Sequence, residues 1–486
     1  MRAGDLHLTL EPGRKGPLYM QVAATILEAV RERRILPGVA LPGVRDLADR
    51  LGVTVNTILA ALRALQDQGW LTSQERSGFF VADPLPELGS PAGGPGGAPA
   101  GAAPGYDLPA HLQPITSAAN VLMDLTDGLA DSRLAPSLAL GRAYQRGLKL
   151  KGPKLLGASD FKGLLRLREA LAEHLKTQRA ILAGPEQILI LRSTTMTVGV
   201  VAQALVGPAG GAVAVENPGN PLVWEALRQA GAANLVALPV DEAGACAEAL
   251  ERSLDQGAVP PRLVVLTPQC QFPTGVGLSE ARRAKFLELA RRHRFAILGL
   301  DPEFDYLPVL GSQRPLASVD AGQVIYAGSL SRILAPGIRV SYVVAPEPLA
   351  GLLARARQAV DWQGDPVQEW ALAELILDGE LQRQLLRVRK AAAERREALE
   401  DALRHALAAT LDFDPGHGSM ALWLRGAGRL ADPAVFTLWI RACQSRGLKL
   451  RAGRHYDLEG RDRAATRLGF TGFTPEELQR AVALMS

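Results

Sequence analysis

One low-complexity stretch divides the chain into two unequal parts. Residues 83–105 read DPLPELGSPAGGPGGAPAGAAPG, which is almost entirely proline, glycine and alanine. Such a segment has too little side-chain surface to offset the entropy lost on ordering, so it predicts an interdomain linker. We place the linker at residues 83–118, between a small domain at 1–82 and a large domain at 119–486. The sequence therefore predicts two separate cores rather than one.

Composition narrows the class of protein further. The formal net charge of +4 over 486 residues is mild, which excludes a polybasic chain but permits a local nucleic-acid surface. Cys246, Cys270 and Cys443 lie far apart without metal-ligand spacing, so we expect a reducing cytoplasm and no metal site. No apolar run is long enough for a membrane span, so we expect no membrane partner.

The small domain has the pattern of three helices followed by a β-hairpin. Apolar residues recur at helical spacing in 19–33 and again in 44–51. Thr54 is a suitable N-cap for a third helix that ends at Gly69, and two short strands follow around Ser77. This order predicts a winged helix-turn-helix, whose second motif helix can enter a DNA major groove.

Three segments of the small domain resemble the GntR-type winged helix. They are PLYMQV (17–22), ILPGVALPGVRDLADRLGVTVNT (35–57) and GFFVA (78–82). The resemblance implies double-stranded DNA as a partner, contacted by Arg45, Thr54, Asn56, Thr57 and Gly78. Val55 departs from the family pattern, in which arginine is common and can read guanine bidentately.

The large domain alternates short β-branched runs with amphipathic helical segments. This alternation predicts an α/β fold with a mainly parallel sheet, and ligands in such folds bind at the carboxyl ends of strands. From about residue 381 the pattern changes to a smaller α+β subdomain. The strand-like runs are 187–193, 212–217, 263–268, 295–300, 323–329 and 340–346.

Further segments of the large domain resemble the fold-type I aminotransferases, and specifically the aminotransferase-like half of MocR-type GntR regulators. The resemblance implies pyridoxal phosphate as the family cofactor and a head-to-tail homodimer. The segments that carry it are TDGLADSRLAP (126–136), DFKGLLRLREALAEHL (160–175), VENPGNP (215–221), TPQCQFPTGVGLS (267–279), GSLSRILAPGIRVSYVVAP (328–346) and TRLGF (466–470).

The chain departs from this family at the residue that holds the cofactor. The family binds pyridoxal phosphate as a Schiff base on a lysine that follows Ser-x-Ser, and here Arg332 follows Ser329 and Ser331. A guanidinium stays protonated and cannot form a Schiff base. We therefore expect no catalytic residue here, no covalent pyridoxal phosphate and no transaminase activity.

Positions that the family uses around the cofactor ring have also changed. The resemblance implies an acid about five residues before Glu303, where it pairs with the pyridine nitrogen. That position is Leu298, and Leu300 stands where a tyrosine is usual. Asp301 is the alternative acid if the register differs. Asn220, Cys270 and Ala158 replace the aromatic residue, histidine and tyrosine of the family.

The residues that the family uses to bind the cofactor phosphate are better preserved. They suggest that the site still binds a ligand. An anionic effector pocket is one interpretation, because arginine forks suit phosphate and carboxylate groups. The alternative, left open by the sequence, is that these arginines pair with Asp301 or Glu303 and leave no site. The candidate ligand-binding residues are Ser329, Ser331, Arg332, Arg339 and Arg467.

The leading interpretation is a cytoplasmic DNA-binding transcriptional regulator whose aminotransferase-like domain senses an effector and dimerises. One alternative is an active pyridoxal-phosphate-dependent aminotransferase, or a regulator responsive to that cofactor, with an atypical site. Another is a protein that has lost both functions. His417 and His455 lack metal-ligand partners and are predicted to be surface or packing residues.

Overall fold

The computed structural model describes residues 16–74, 78–86, 121–207, 210–307, 314–414 and 419–486. The chain divides into two compact units, residues 1–115 and 116–486. The predicted linker at 83–118 lies outside the described residues from residue 87 onward. In the described parts, no helix is long and apolar enough to cross a membrane.

The N-terminal unit contains the predicted three helices and hairpin. The helices pack around a core that includes Ile26, Leu47 and Leu62. In the hairpin, Leu71 pairs with Val81 and Gln74 with Gly78. The elements are α1 (Leu18–Arg31), α2 (Val44–Leu51), α3 (Val55–Asp67), β1 (Leu71–Gln74) and β2 (Gly78–Val81).

Local sequence explains the tight connection between α2 and α3. Gly52 ends α2 with a φ of 65°, in the left-handed region that glycine adopts without steric cost. Two residues later the Thr54 side chain accepts a hydrogen bond from the Thr57 N–H and begins α3. The predicted N-cap and the winged helix-turn-helix are therefore confirmed.

The larger part of the C-terminal unit is an α/β layer structure. Its elements are β3 (Met123–Asp124), α4 (Ser137–Leu155), α5 (Leu165–Arg179), β4 (Ile188–Leu191), α6 (Thr194–Leu205), β5 (Ala212–Asn217), α7 (Pro221–Gln229), β6 (Asn234–Asp241), β7 (Gly244–Ala245), α8 (Ala247–Asp255), β8 (Leu263–Leu266), α9 (Glu280–His293), β9 (Ala296–Leu300), β10 (Val324–Ser329), β11 (Ser341–Val344), α10 (Glu347–Asp361) and α11 (Pro366–Leu377).

All of these strands except β3 form one sheet in the order β4-β11-β10-β9-β8-β5-β6-β7. The pairs from β10 through β6 are parallel, whereas β11 runs antiparallel to both β10 and β4. Side chains alternate between two cores: Ile188 and Ile190 join one, Leu189 and Leu191 the other. The predicted mainly parallel sheet, buried on both faces, is confirmed.

The remaining elements form a smaller α+β part with its own core. They are α12 (Glu380–Leu407), β12 (Leu411–Phe413), β13 (Ala421–Gly426), α13 (Pro433–Ser445), β14 (Leu448–Lys449), β15 (Ala465–Gly469) and α14 (Pro475–Met485). The order β12-β13-β15 is antiparallel, and β3 pairs with β14. The early segment 123–124 therefore joins the C-terminal part and brings the residues after it to the sheet edge.

Candidate functional site

The first candidate site is the start of helix α3 in the N-terminal unit. Thr54 and Thr57 place their hydroxyl oxygens 2.8 Å apart, and the Thr57 N–H lies 3.2 Å from the Thr54 oxygen. Both hydroxyls are therefore engaged in the cap. Between them in sequence, Val55 is 41% exposed and Asn56 is also exposed. Thr54 is exposed as well, so Val55 and Asn56 are the exposed side chains of the helix start that the cap does not engage.

Arg45 and Gly78 lie on two other elements of the same unit. Arg45 is exposed in the first turn of α2 and forms no ion pair with any residue that the structure describes. Gly78 begins the second wing strand with a φ of +97°, which an L side chain rarely adopts. The unit therefore offers an exposed guanidinium on α2 and an exposed backbone at the wing.

The second candidate site is a cavity of about 210 Å³ in the C-terminal unit. It lies at the carboxyl ends of the parallel strands, where Thr194, Asn220, Thr267 and Leu300 end or follow β4, β5, β8 and β9. This is the position at which open α/β sheets bind ligands. The full lining is Thr126, Asp127, Thr194, Thr195, Asn220, Pro221, Leu222, Val223, Thr267, Cys270, Phe272, Leu300, Pro302, Glu303, Arg332, Arg451, His455 and Tyr456.

Arg332 lines this cavity, and its guanidinium is held by the segment that follows β3. It forms an ion pair with Asp127 at 3.0 Å and donates a hydrogen bond to the Gly128 carbonyl. The Tyr306 hydroxyl donates to the Arg332 carbonyl at 2.8 Å and positions its backbone. Burial lowers the pKa of Arg332, but the charges of Asp127 and Glu303 outweigh that effect and raise it. Arg332 is thus a fixed, internally paired cation.

Glu303, which lines the cavity, forms a buried ion pair with Arg467 behind it. Their closest atoms, Glu303 Oε1 and Arg467 Nη2, are 2.6 Å apart, and the exposed fractions are 5% and 1%. Glu303 Oε2 also accepts from the Ser419 hydroxyl at 2.9 Å. Burial raises the pKa of Glu303, but the charges of Arg467 and Arg332 outweigh it, so the pKa lies below its ordinary value.

For Arg467, the structure therefore shows the pairing with Glu303 that the sequence left open. Its second Nη donates to the Pro273 carbonyl at 3.0 Å, and its guanidinium lies 4.4 Å from the centre of the Phe272 ring. Arg467 does not line the cavity. A ligand in the cavity would have to displace Glu303 before it reached this arginine.

The other predicted phosphate contacts lie away from the cavity. The Ser329 hydroxyl donates to the Val340 carbonyl at 3.5 Å, and the Ser331 hydroxyl bonds to the backbone of residues 338 and 340. Arg339 is exposed and lines a separate, much smaller pocket beside Arg192. Of the five candidate ligand-binding residues, the structure places only Arg332 in the cavity wall.

The alternation of β9 shows where the ring-side residues lie. Leu298 and Leu300 belong to the core on the cavity side of the sheet, and Leu300 lines the cavity. Asp301 does not line it; its charged neighbours are Arg179, Arg283 and Asp305. Burial raises the pKa of Asp301 to about 7. Asp301 therefore lies away from the position that the alternative register would assign to it.

Of the three other positions that depart from the family, Asn220 and Cys270 line the cavity and Ala158 does not. Asn220 lines the cavity and caps α7, because its side-chain oxygen accepts from the Leu222 N–H at 3.0 Å. Cys270 lines the cavity 3.6 Å from Glu303, and burial raises the pKa of its thiol. Ala158 is exposed and does not contribute to the cavity.

Sequence reasoning missed several lining residues. Thr194 and Thr195 begin α6, and the N-terminus of a helix favours anions. A serine, Ser193, lies just after the apolar strand β4 and is a typical helix N-cap, so the sequence could have predicted a helix start here. His455, which the sequence predicts to be a surface or packing residue, packs edge-on against Tyr456 and also lines the cavity with Arg451 and Tyr456. No motif marks this last group. His417 lies outside the described residues.

Comparison with known proteins identifies both units. The family model described as aminotransferase class I and II matches residues 123–484, well over half of the chain. The chain belongs to the class I and II aminotransferase family. A second model, described as bacterial regulatory proteins of the gntR family, matches residues 18–81. This pair of domains, in this order, is the arrangement of MocR-type GntR regulators.

Two curated relatives share the whole arrangement. The probable rhizopine catabolism regulatory protein MocR of Rhizobium meliloti is 27% identical over 98% of this chain and 94% of its own length. The pyridoxine biosynthesis transcriptional regulator PdxR of Corynebacterium glutamicum is 26% identical over 93% of this chain and 91% of its own.

Solved structures show the fold of the aminotransferase unit. A kynurenine aminotransferase of Pyrococcus horikoshii matches with a TM-score of 0.69 at 22% identity, over 75% of this chain and 90% of its own. The α-aminoadipate aminotransferase LysN of Thermus thermophilus matches with a TM-score of 0.67 at 24% identity, over 75% and 91%.

The aminotransferase fold is associated with pyridoxal phosphate, and the residues present do not fit the covalently held cofactor. No lysine lines the cavity within the described ranges, and the guanidinium of Arg332 is tied to Asp127. The strand face where a ring would lie presents Leu300 rather than an acid. A phosphate could still meet Thr194 and Thr195, but the groups for attachment and ring protonation are missing.

Proposed function

We propose that this aminotransferase-family chain is a DNA-binding transcriptional regulator that senses an effector without covalent pyridoxal phosphate or transaminase activity. The single observation that carries the proposal is the presence, in one chain, of a gntR-type winged helix and a cavity in which Arg332 is paired with Asp127. A guanidinium bound in this way offers no nucleophile for a carbonyl group. The names of the relatives, which are regulators, support the same function.

DNA recognition is assigned to the start of α3 and to Arg45. Because Thr54 and Thr57 are engaged with each other, Val55 and Asn56 are the side chains left to meet bases. Asparagine pairs bidentately with adenine, and an apolar side chain contacts the thymine methyl group. We therefore propose that each half-site presents an A·T-containing step to α3, while Arg45 contacts phosphate.

Fluorescence anisotropy with the duplex upstream of the chain's own gene tests DNA binding. We expect binding that weakens as salt is raised, because phosphate contacts release condensed counterions and this release gains less free energy at higher salt. Asn56→Ala should weaken specific binding by about 5- to 150-fold, which corresponds to about 1–3 kcal/mol. Gln68→Ala, exposed at the opposite end of α3, is the matched control and should leave binding unchanged. Failure to bind any duplex at low salt would refute the regulator function.

Base substitution in the duplex tests the proposed reading by Val55. Replacing thymidine by deoxyuridine removes only the methyl group, so the wild type should lose affinity at one position of each half-site. The Val55→Ala variant should bind the two duplexes with equal affinity, because its shorter side chain no longer reaches the methyl group. Equal losses in both proteins would show that Val55 does not read the methyl.

Covalent cofactor binding is tested separately on the purified full-length chain. We expect no adduct after incubation with pyridoxal phosphate and reduction with borohydride, followed by peptide mass spectrometry. An adduct mapped to a residue at the cavity would overturn this part of the proposal.

Dimerisation belongs to the same proposal, as a head-to-tail homodimer. Helix α4 and the residue after it expose several leucines to solvent, and a second copy of the chain could cover them. They are Leu138, Leu148, Leu150 and Leu156, with exposed fractions of 79%, 43%, 63% and 72%. Analytical ultracentrifugation should give the mass of a dimer, and Leu138→Glu combined with Leu150→Glu should give a monomer.

A further inference from the structure

Among the residues that the structure describes, some charged side chains in the cavity wall have a partner of opposite charge, and one does not. Both carboxylates in its wall already have cationic partners: Asp127 pairs with Arg332 at 3.0 Å, and Glu303 pairs with Arg467 at 2.6 Å. Within each ion pair the two charges neutralise each other. Arg332 and Arg467, which the family resemblance suggests as ligand contacts, are therefore not the cations available to a ligand.

Arg451 is a cation in the cavity wall without such compensation. No carboxylate that the structure describes lies within ion-pair distance of it, and its guanidinium hydrogen bonds to the ring of His455. Burial and the neighbouring Arg451 lower the pKa of His455 to about 4, so this ring is uncharged at neutral pH. The Arg451–His455 pair thus presents one net positive charge to the cavity.

Tyr456 adds a buried hydroxyl to the same wall. The side chain is 1% exposed and lines the cavity. Its hydroxyl oxygen interacts with the Arg467 backbone, but among the described residues the hydroxyl has no partner in full hydrogen-bond geometry and no acceptor for its proton. Burial raises the pKa of Tyr456 to about 12, so the hydroxyl is neutral and can donate. A buried polar group without a partner is rare in native proteins, and a ligand is one way to satisfy it.

The backbone and ring of Tyr456 are held in place by neighbours. Its carbonyl accepts from the Gly219 N–H at 2.9 Å, and its ring packs edge-on against Trp423 at 5.4 Å between centroids. The hydroxyl position is therefore set by the fold rather than by a flexible side chain.

The rest of the cavity wall is largely apolar. Phe272, Leu300 and Val223 contribute to it, and the volume of about 210 Å³ suits a body of roughly one aromatic ring with a small substituent. One uncompensated guanidinium and one neutral donor match a single carboxylate, since an arginine fork binds carboxylate oxygens bidentately.

We propose that the cavity binds a small monocarboxylate with an apolar or aromatic body, through Arg451 and Tyr456 rather than through Arg467. Its carboxylate would replace the missing partner of Arg451 and accept a hydrogen bond from the Tyr456 hydroxyl, while its body packs on Phe272 and Leu300. This inference rests on the proposed effector-sensing function and names the chemical class of that effector.

Calorimetric titration of the full-length chain tests the proposal, with benzoate as the probe. We expect the wild type to bind benzoate and to bind benzyl alcohol, which is similar in shape but uncharged, at least tenfold more weakly. Acetate and inorganic phosphate should bind as weakly as benzyl alcohol, because neither has an apolar body. Equal binding of phosphate and benzoate would instead indicate a simple anion site and would overturn the proposed ligand class.

Matched variants locate the contact. Arg451→Gln should weaken benzoate binding about 10- to 100-fold, and Tyr456→Phe about 2- to 10-fold. Arg454→Gln is the control, because Arg454 lies in the same short segment, is 61% exposed, pairs with Asp462 and does not line the cavity. Arg451→Lys keeps the charge and should retain part of the affinity, which separates loss of the contact from misfolding.

Loss of benzoate binding and loss of duplex binding are separate results. Duplex binding with no benzoate binding by the wild type would overturn the inference and leave the regulator function standing. Benzoate binding without any duplex binding would overturn the regulator function and leave the proposed ligand site standing. Unchanged benzoate affinity in Arg451→Gln would also overturn the inference, since the cation it assigns would then have no role.

Discussion

Glu303 accepts a hydrogen bond from Arg467 at 2.6 Å, and both side chains are almost completely buried at the cavity, whose wall includes Glu303 but not Arg467. The two residues come from different parts of the unit: Glu303 follows β9, and Arg467 lies within β15. Their pairing joins the α/β layers to the smaller C-terminal part. An arginine that the family resemblance associates with a substrate carboxylate is thus satisfied by the protein's own carboxylate.

The buried pair should contribute strongly to stability. Glu303→Gln leaves the Arg467 guanidinium buried without its closest carboxylate, so we expect a loss of about 3–5 kcal/mol in the free energy of unfolding. Urea denaturation followed by tryptophan fluorescence measures the change. Glu173→Gln, which removes an exposed pair with Lys176, is the control and should cost at most about 0.5 kcal/mol. A loss below about 1 kcal/mol in Glu303→Gln would contradict the prediction.

Restoring lysine at position 332 should not restore an enzyme. Arg332→Lys supplies an amine, but Leu298 and Leu300 still present apolar surface where the family has an acid and a tyrosine. We expect no transamination above background with a panel of amino acids and pyridoxal phosphate. Circular dichroism of the variant checks that it is folded. Measurable turnover in this single variant would show that the ring-side residues are not required.

The Thr54 cap should stabilise the DNA-binding unit. Thr54→Ala removes the side-chain acceptor for the Thr57 N–H at 3.2 Å, so we expect a loss of about 1 kcal/mol. Thermal unfolding of this unit, followed by circular dichroism, reports the change. Thr54→Ser keeps the hydroxyl and should retain most of the stability. If the serine and alanine variants unfolded alike, the cap would not be the cause.

Acid should destabilise the aminotransferase unit partly through His174. Burial, reinforced by the charge of Arg179, lowers the pKa of His174 from 6.5 to about 4. Because the unfolded chain then binds more protons than the folded chain, stability falls as the pH drops from about 6.5 to about 4.

The size of this effect is measurable by comparison with a variant that cannot titrate there. Between pH 7 and pH 4 the wild type should lose about 3 kcal/mol more than His174→Leu, by the linkage between pKa and stability. Urea unfolding at the two pH values provides the numbers. Parallel losses in both proteins would place the acid sensitivity in other groups.

Much of the fold followed from local pattern. The β-branched runs predicted β4, β5, β8, β9, β10 and β11 to within a few residues, because a parallel sheet buried on both faces requires continuous apolar strands. Strand β6, near the edge of the sheet, was not among the predicted strands. Its sequence contains Pro239, which argues against a strand, and its residues are mostly half-exposed or exposed.

The sequence predicted fewer of the cavity residues than of the strands. Asp127 precedes Arg332 by 205 positions, and nothing local marks the two as partners. The alternation of β9 decided that Leu300, not Asp301, lines the cavity. Arg451 and Tyr456 carry no motif, and they became candidates only because their segment folds against the carboxyl ends of the strands.

The sequence by itself determined the domain order, the α/β class and the chemistry that position 332 excludes. Those properties belong to local composition and to residue type: a guanidinium cannot form a Schiff base wherever it lies. The tertiary structure alone decided which charges are neutralised and which face the cavity. Ion pairing depends on distance in space, so only the fold could show that Arg467 is paired and that Arg451 has no carboxylate partner among the described residues.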